Sequence, residues 1–251
     1  MHPLIDFGPF PTLYSLVTAI ACALSLPGAL YEARYRRIPP RLILMVWPAM
    51  LMGGFLGAHF YYLLTHPHFM AVDPVPKIFN IFAGISVQGM IIGGPAALYL
   101  MLRLAGEPLL PVLDVFMPVV AFCQSVGRLG CLATGCCYGR PTGASFGIVF
   151  SDPFSPAPKA IPLHPTQIYE SVLCVLLAAA LHHRLKKEGE PAGRVFAAYV
   201  LGYSAIRFFV QFFRDDDAGH LVLGMAHSQY AAVLMAAGAV WLFRRAGARQ
   251  A

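Results

Sequence analysis

The chain has 251 residues, 58% of them hydrophobic and only 12% charged, with a net charge of +6 and a mean hydropathy of +0.64. Soluble domains carry about 25% charged residues, so this composition excludes a water-soluble globular protein and describes an integral membrane protein. The positive charge does not imply nucleic acid as a partner, because the basic residues fall between apolar segments and not on one soluble face.

Seven apolar segments, near 12–33, 42–64, 84–104, 109–126, 165–183, 195–213 and 228–243, approach the ~20 residues that cross the hydrocarbon core. Span one has no basic stretch before it and no A-x-A cleavage site, so it is expected to remain as an anchor; Tyr14 lies near its start. Arg34, Arg36, Arg37 and Arg41 separate it from span two, where Gly53, Gly54 and Gly57 suit close helix packing and His59 is the odd polar member. Span three holds "GISVQGMIIGGPAALY". Its glycines, Gly84, Gly89, Gly93 and Gly94, again permit close packing and Pro95 invites a kink, but neither explains Gln88. Arg103 leads to span four, which carries Asp114 and is short for a straight crossing.

Behind span four, residues 127–164 form a Gly/Pro-rich connection too long for an idle loop; it opens with "GRLGCLATGCCYGRPTG". "HPTQIYE", 164–170, then starts span five. Pro165 suits a first helical turn, His164, Gln167 and Glu170 share a face for part of the run, and Tyr169 alone would fit an aromatic belt. Arg184, Lys186, Lys187 and Arg194 precede span six, "GYSAIRFFVQFF", where Tyr203, Arg207 and Gln211 give one polar face continued by Arg214. "RDDD" at 214–217 suits a solvated helix end, since three adjacent aspartates cannot all face one ion. Arg244, Arg245 and Arg249 follow span seven, which is also short.

Twelve of the 18 Lys and Arg thus lie on alternate connections, which predicts an outer N-terminus and a cytoplasmic C-terminus. The other six, Lys77, Arg128, Arg140, Lys159, Arg207 and Arg214, fall on the disfavoured outer side, where a functional role is expected. Arg128 and Arg207 have two readings. They make internal ion pairs, with Asp114 or Glu170 as partners, or they form forks that grip phosphate with paired hydrogen bonds. Gly127 and Gly130 beside Arg128 would let backbone approach a ligand.

The cysteines read first as small packing residues, Cys22, Cys123 and Cys174 in or near spans and Cys131, Cys136 and Cys137 on the outer side. C-x4-C-C is not a usual zinc spacing and paired C-x2-C ligands are missing, so no metal is expected, and no cofactor. The predicted fold is an all-α, seven-transmembrane-helix bundle forming a single domain over 1–251, with a polar cavity on its outer side. Such a cluster suits an anionic lipid headgroup but leaves enzyme, transporter and lipid receptor open.

Taken together, "GRLGCLATGCCYGRPTG", "HPTQIYE" and "GYSAIRFFVQFFRDDD" resemble the signature segments of the prolipoprotein diacylglyceryl transferase family, in that family's order. "GPFPTLYSL", "GGFLGAHFYYLL" and "GISVQGMIIGG" add support, so the likeness covers nearly the whole chain. The resemblance implies a bacterial inner-membrane enzyme that moves the diacylglyceryl group of phosphatidylglycerol to the lipobox cysteine of a prolipoprotein. A thioether forms and glycerol 1-phosphate leaves. It implies Arg128 and Arg207 as phosphate-facing catalytic groups, with Tyr14, Tyr203, Gly139, Arg140 and Gln88 lining the lipid site. Asp114, Gln167, Tyr169, Glu170, Gln211 and Arg214 shape it, and His164 or His59 receives the thiol proton.

Departures from the family pattern are specific. Span three reads "QGM" where members usually read "HGG", and Gln88 cannot act as a general base. His59 replaces a usual arginine, Cys131 and Cys136 stand where many members carry asparagine and glutamate, and Gln211 where they carry glutamate. These changes leave two alternatives: a paralogue that keeps the lipid donor and modifies another acceptor, or a phospholipid binder or transporter without catalysis.

Overall fold

The computed structural model describes residues 13–66, 86–153, 155–215, 221–222 and 225–248. Lys77, Gly84, Asp216, Asp217 and Arg249, singled out above, lie outside the described residues. Seven α-helices occur among those described: α1 (Leu13–Ala33), α2 (Pro40–Thr65), α3 (Val87–Ala105), α4 (Leu109–Thr134), α5 (Thr166–Leu185), α6 (Arg194–Gln211) and α7 (His227–Ala248). An antiparallel pair of two-residue strands, β1 (Leu221–Val222) and β2 (Met225–Ala226), precedes α7. The helices coincide with the seven apolar segments. Four stretches, Leu13–Arg36, Pro40–Thr65, Leu109–Thr134 and Thr166–Leu185, are long and apolar enough to cross a membrane. Large apolar side chains face outward along them and along the other helices; Leu104 is 76% exposed and Leu234 74%. Apolar exposure on this scale fits lipid and not water.

The fourth helix corrects the sequence-based boundary. Span four was expected to end near residue 126, with Arg128 in a loop, yet α4 runs to Thr134. A guanidinium ends an apolar run without ending a helix, because a carboxylate on α5 meets its charge.

The chain forms two compact units, residues 37–112 and the remainder. In the first, α2 and α3 pack through glycines. A methyl group on Gly57 would lie 2.5 Å from the Gly89 carbonyl oxygen and 2.8 Å from the Gly93 Cα, so no side chain fits and the backbones meet directly. The Ser86 N–H donates to the Ala58 carbonyl at 3.1 Å, tying the start of α3 to α2. Gly57→Leu is expected to destabilise this pair by roughly 1–3 kcal/mol, the usual cost of overpacking. Gly94→Ala, whose methyl meets nothing nearer than 3.5 Å, should leave the melting temperature in detergent unchanged, and equal melting of both variants would contradict the packing.

Among the four long apolar stretches α4 is the most buried: half of its most apolar window is covered, against 11% for α1. Cys174 and Leu177 of α5 interleave with Tyr203, Ile206 and Val210 of α6. The Gln229 side chain donates to the Phe208 carbonyl at 3.3 Å and fastens α7 to α6. The Ser171 hydroxyl donates to the Ser125 carbonyl at 2.9 Å, fixing α5 against α4.

Candidate active site

The site is assembled where α4 stops and α5 begins. Gly135 takes the left-handed conformation (φ +72°) that glycine adopts without cost. Its N–H donates to the Leu132 carbonyl at 3.3 Å and the Cys136 N–H to the Cys131 carbonyl at 3.2 Å, the paired bonds of a Schellman cap. The first turn of α5 then takes hold of the reversed chain. Gln167 Nε2 donates to the Cys136 carbonyl and the Thr166 hydroxyl to the Cys137 carbonyl, both at 2.8 Å. Gln167 and Glu170 lie one turn apart and both are buried, so the anchor that holds the loop also sets the carboxylate.

Beyond the cap, the connection is folded around its own small core of Phe150, Ala157 and Leu163, flanked by Leu132, Tyr138 and Ile148. Gly139 is pinched between two strands of chain: a methyl there would stand 2.6 Å from the His164 Cβ and 2.8 Å from the Phe213 carbonyl oxygen. Arg140 follows, its N–H donating to the Phe213 carbonyl at 2.8 Å and its carbonyl accepting from His164 N–H at 2.9 Å. The Arg140 guanidinium donates to the Arg214 carbonyl at 3.0 Å. The loop therefore bridges the start of α5 and the end of α6.

Glu170 is the hub. It is 1% exposed. Arg128 Nη2 donates to its Oε1 at 2.7 Å, and the Tyr203 hydroxyl donates to the same oxygen at 3.3 Å. Arg207 Nη1 and Arg214 Nη1 approach Oε2 at 3.6 and 3.7 Å. One carboxylate cannot neutralise three guanidiniums, so the cluster carries excess positive charge. Arg207 Nη1 is moreover buried without a hydrogen-bond partner, an arrangement that costs free energy unless an acceptor arrives. Arg128 also donates from Nη1 to the Cys137 sulfur at 3.5 Å. The Cys137 thiol is held below its ordinary range: the Cys131 and Cys136 thiols donate toward its sulfur, and the Arg214 and Arg128 charges lie near it.

The remaining sequence-derived residues fall into three places. His164 sits in an aromatic nest, its Nδ1 3.1 Å from the Tyr169 hydroxyl and its ring edge-on to Phe213. Gln211 is buried with its Oε1 unpartnered, and Tyr14 packs on Gly130, whose missing side chain admits the ring. His59 and Gln88 belong to the 37–112 unit; there His59 is buried on α2, and Gln88 accepts from the Ser86 hydroxyl at 2.6 Å.

Asp114 stands about 21 Å along α4 from Arg128, away from the cluster. It accepts from Arg36 Nη2 at 2.6 Å, from the Gly193 N–H at 2.9 Å and from the Phe196 N–H at 2.8 Å. It thereby caps the start of α6, where free N–H groups and the helix dipole favour a carboxylate. Removing one partner of a buried pair costs about 3–5 kcal/mol. Asp114→Ala should therefore lower the melting temperature while leaving the arginine cluster intact, and an unchanged melting temperature would contradict the capping role.

The sequence marks Glu170 as one shaping residue among several and gives no sign that Cys137 meets Arg128. The signal for the first was present: Glu170 is the single acidic residue in spans five and six.

Apolar helices that hold several arginines around one buried carboxylate describe a membrane protein with a polar site set among its helices. The chain belongs to the prolipoprotein diacylglyceryl transferase family, which its residues 4–245 match. Similar curated proteins are each called phosphatidylglycerol–prolipoprotein diacylglyceryl transferase. The one from Clostridium tetani is 38% identical over 181 residues, covering 72% of this chain and 71% of the relative. A second, numbered 2, from Clostridium perfringens is 35% identical over 194 residues (77% and 74%). The relative from Parasynechococcus marenigrum is 29% identical over 262 residues and spans 96% of this chain and 94% of its own length.

Proposed function

We propose that this protein transfers the diacylglyceryl group of phosphatidylglycerol to the lipobox cysteine of a prolipoprotein. The observation that carries the reading is the convergence of Arg128, Arg207 and Arg214 on the single carboxylate of Glu170, with Arg207 Nη1 left without an acceptor. In the reaction the cysteine thiol loses its proton and the sulfur attacks the glycerol carbon that bears the phosphodiester. The C–S bond forms as the C–O bond breaks, and the electron pair leaves on glycerol 1-phosphate. A phosphodiester monoanion becomes a monoester that takes on further negative charge, and cations already in place stabilise that change more than the ground state.

Arg128 and Arg207 are the proposed phosphate-facing groups, with Arg214 and Arg140 behind them and Tyr203 and Tyr14 beside the lipid. Glu170 keeps the guanidiniums in register when no phosphate is bound. Gln167, Tyr169, Gly139 and Gln211 fix the loop and the end of α6. The proton passes to an imidazole, His164 or His59, and Gln88 contributes polarity without acting as a base. All seven helices cross the cytoplasmic membrane, N-terminus outside and C-terminus inside, and the cavity opens toward the outer side. The charge pattern supports this orientation: arginine-rich connections alternate with the loop that holds the site.

Expression in a bacterium depleted of its own transferase tests the activity in a membrane. The expected result is restored lipid attachment, read as the mobility and mass of a reporter lipoprotein. A reporter that stays unlipidated, with the protein folded and inserted, would overturn the reading.

A further inference from the structure

The transfer reaction leaves one cluster unused. Cys131, Cys136 and Cys137 bring their sulfurs within 4.8 Å of one another, and all three are free thiols. We infer that these three thiols form a binding site for a single thiophilic metal ion, Zn²⁺ by the chemistry of the ligand set, with the fourth coordination position open.

The cap at the end of α4 explains how the site is made. Counting along the chain, C-x4-C-C matches no usual zinc spacing. A Schellman cap, however, brings the third residue from the helix end and the second residue beyond it into contact, and these positions are Cys131 and Cys136. Packing of small side chains would account for that pair. It does not account for Cys137, a non-glycine residue held at φ +56°, a conformation that costs free energy and turns its thiol to the same point. Two donors already face the sulfurs: the Thr134 hydroxyl reaches Cys136 at 3.3 Å and Arg128 Nη1 reaches Cys137 at 3.5 Å. Hydrogen bonds of this kind orient metal thiolates and tune them. Zn–S bonds of about 2.3 Å place two thiolates ~3.8 Å apart on a tetrahedral ion, a spacing that small side-chain rotations reach from the one present. Three thiolates and one divalent ion leave a net negative charge, which the neighbouring guanidinium of Arg128 offsets. Three protein ligands are also the number that leaves a position for an outside ligand.

This inference requires nothing of the proposed activity, and its test reads metal and not turnover. Purified full-length protein, kept reduced in detergent without chelator, is expected to carry one Zn²⁺ per chain by elemental analysis. Exchange with Co²⁺ should produce a thiolate-to-cobalt charge-transfer band in the near ultraviolet. Cys131→Ser, Cys136→Ser and Cys137→Ser should each weaken Co²⁺ binding at least about tenfold, whereas Cys22→Ser, on α1, should not. Monodispersity and melting temperature separate lost binding from lost fold, and the wild-type spectrum stands whatever the variants do. Reduced wild-type protein that shows no band at saturating Co²⁺, with its thiols still titratable, would overturn the site. So would a disulfide among the three cysteines in protein that binds no Co²⁺ after reduction.

Discussion

Arg207→Lys is expected to lower kcat by about 10²–10³-fold, the usual cost of removing one donor to a developing oxyanion, while phosphatidylglycerol binding changes far less. Lysine keeps the charge, so long-range attraction for the headgroup survives. It loses the planar fork that can hold two phosphate oxygens at once. Arg207 is the sharpest position for this test because its Nη1 is buried, 3.6 Å from Glu170 and without a hydrogen-bond partner. The same change at Arg128 would also break a 2.7 Å bond to Glu170 and the contact with Cys137, mixing structure with catalysis. Single-turnover transfer measured beside equilibrium lipid binding separates the two effects. A lysine variant that turns over at the wild-type rate would show that geometry at Arg207 does not matter.

Glu170→Gln is expected to cost as much stability as any substitution in the chain. The amide is nearly the same size as the carboxylate, so packing is kept, but three guanidiniums then share a buried space without their common counter-charge. Leaving buried charge uncompensated costs about 3–5 kcal/mol, a fall in melting temperature on the order of 10 °C for a chain of this size. Added glycerol 1-phosphate should then stabilise the variant more than the wild type, because the anion takes over the role of the lost carboxylate. Equal melting temperatures for variant and wild type would contradict Glu170 as the hub. Equal stabilisation of both by glycerol 1-phosphate would contradict phosphate as the arginines' partner.

The helices were legible because lipid imposes a simple code. An apolar run of the right length must satisfy its own backbone hydrogen bonds and therefore coils, and the helices from α1 to α7 follow those runs. The end of α4 was not legible, since its last two turns hold Arg128 and three glycines or cysteines whose helical state depends on Glu170 some forty residues away. The two possible partners for Arg128 named from sequence, Asp114 and Glu170, looked alike on paper. Only the fold separates them: Asp114 turns to the start of α6 and to Arg36, whereas Glu170 gathers the arginines. Gly139, which the resemblance places at the lipid site, is also required by the chain itself, because a Cβ there would meet His164 and the Phe213 carbonyl. The three cysteines were read as separate packing residues because sequence spacing does not show the reversal at Gly135.

The most direct measurement uses phosphatidylglycerol labelled both in its acyl chains and at phosphorus, purified wild-type protein, and a lipobox peptide with or without its cysteine. The expected result is acyl label on the cysteine peptide alone, with an equal amount of phosphorus released to the aqueous phase as glycerol 1-phosphate. Phosphorus that stays with the lipid while the protein binds it, and no label on the peptide, would contradict transfer and leave a phospholipid-binding protein.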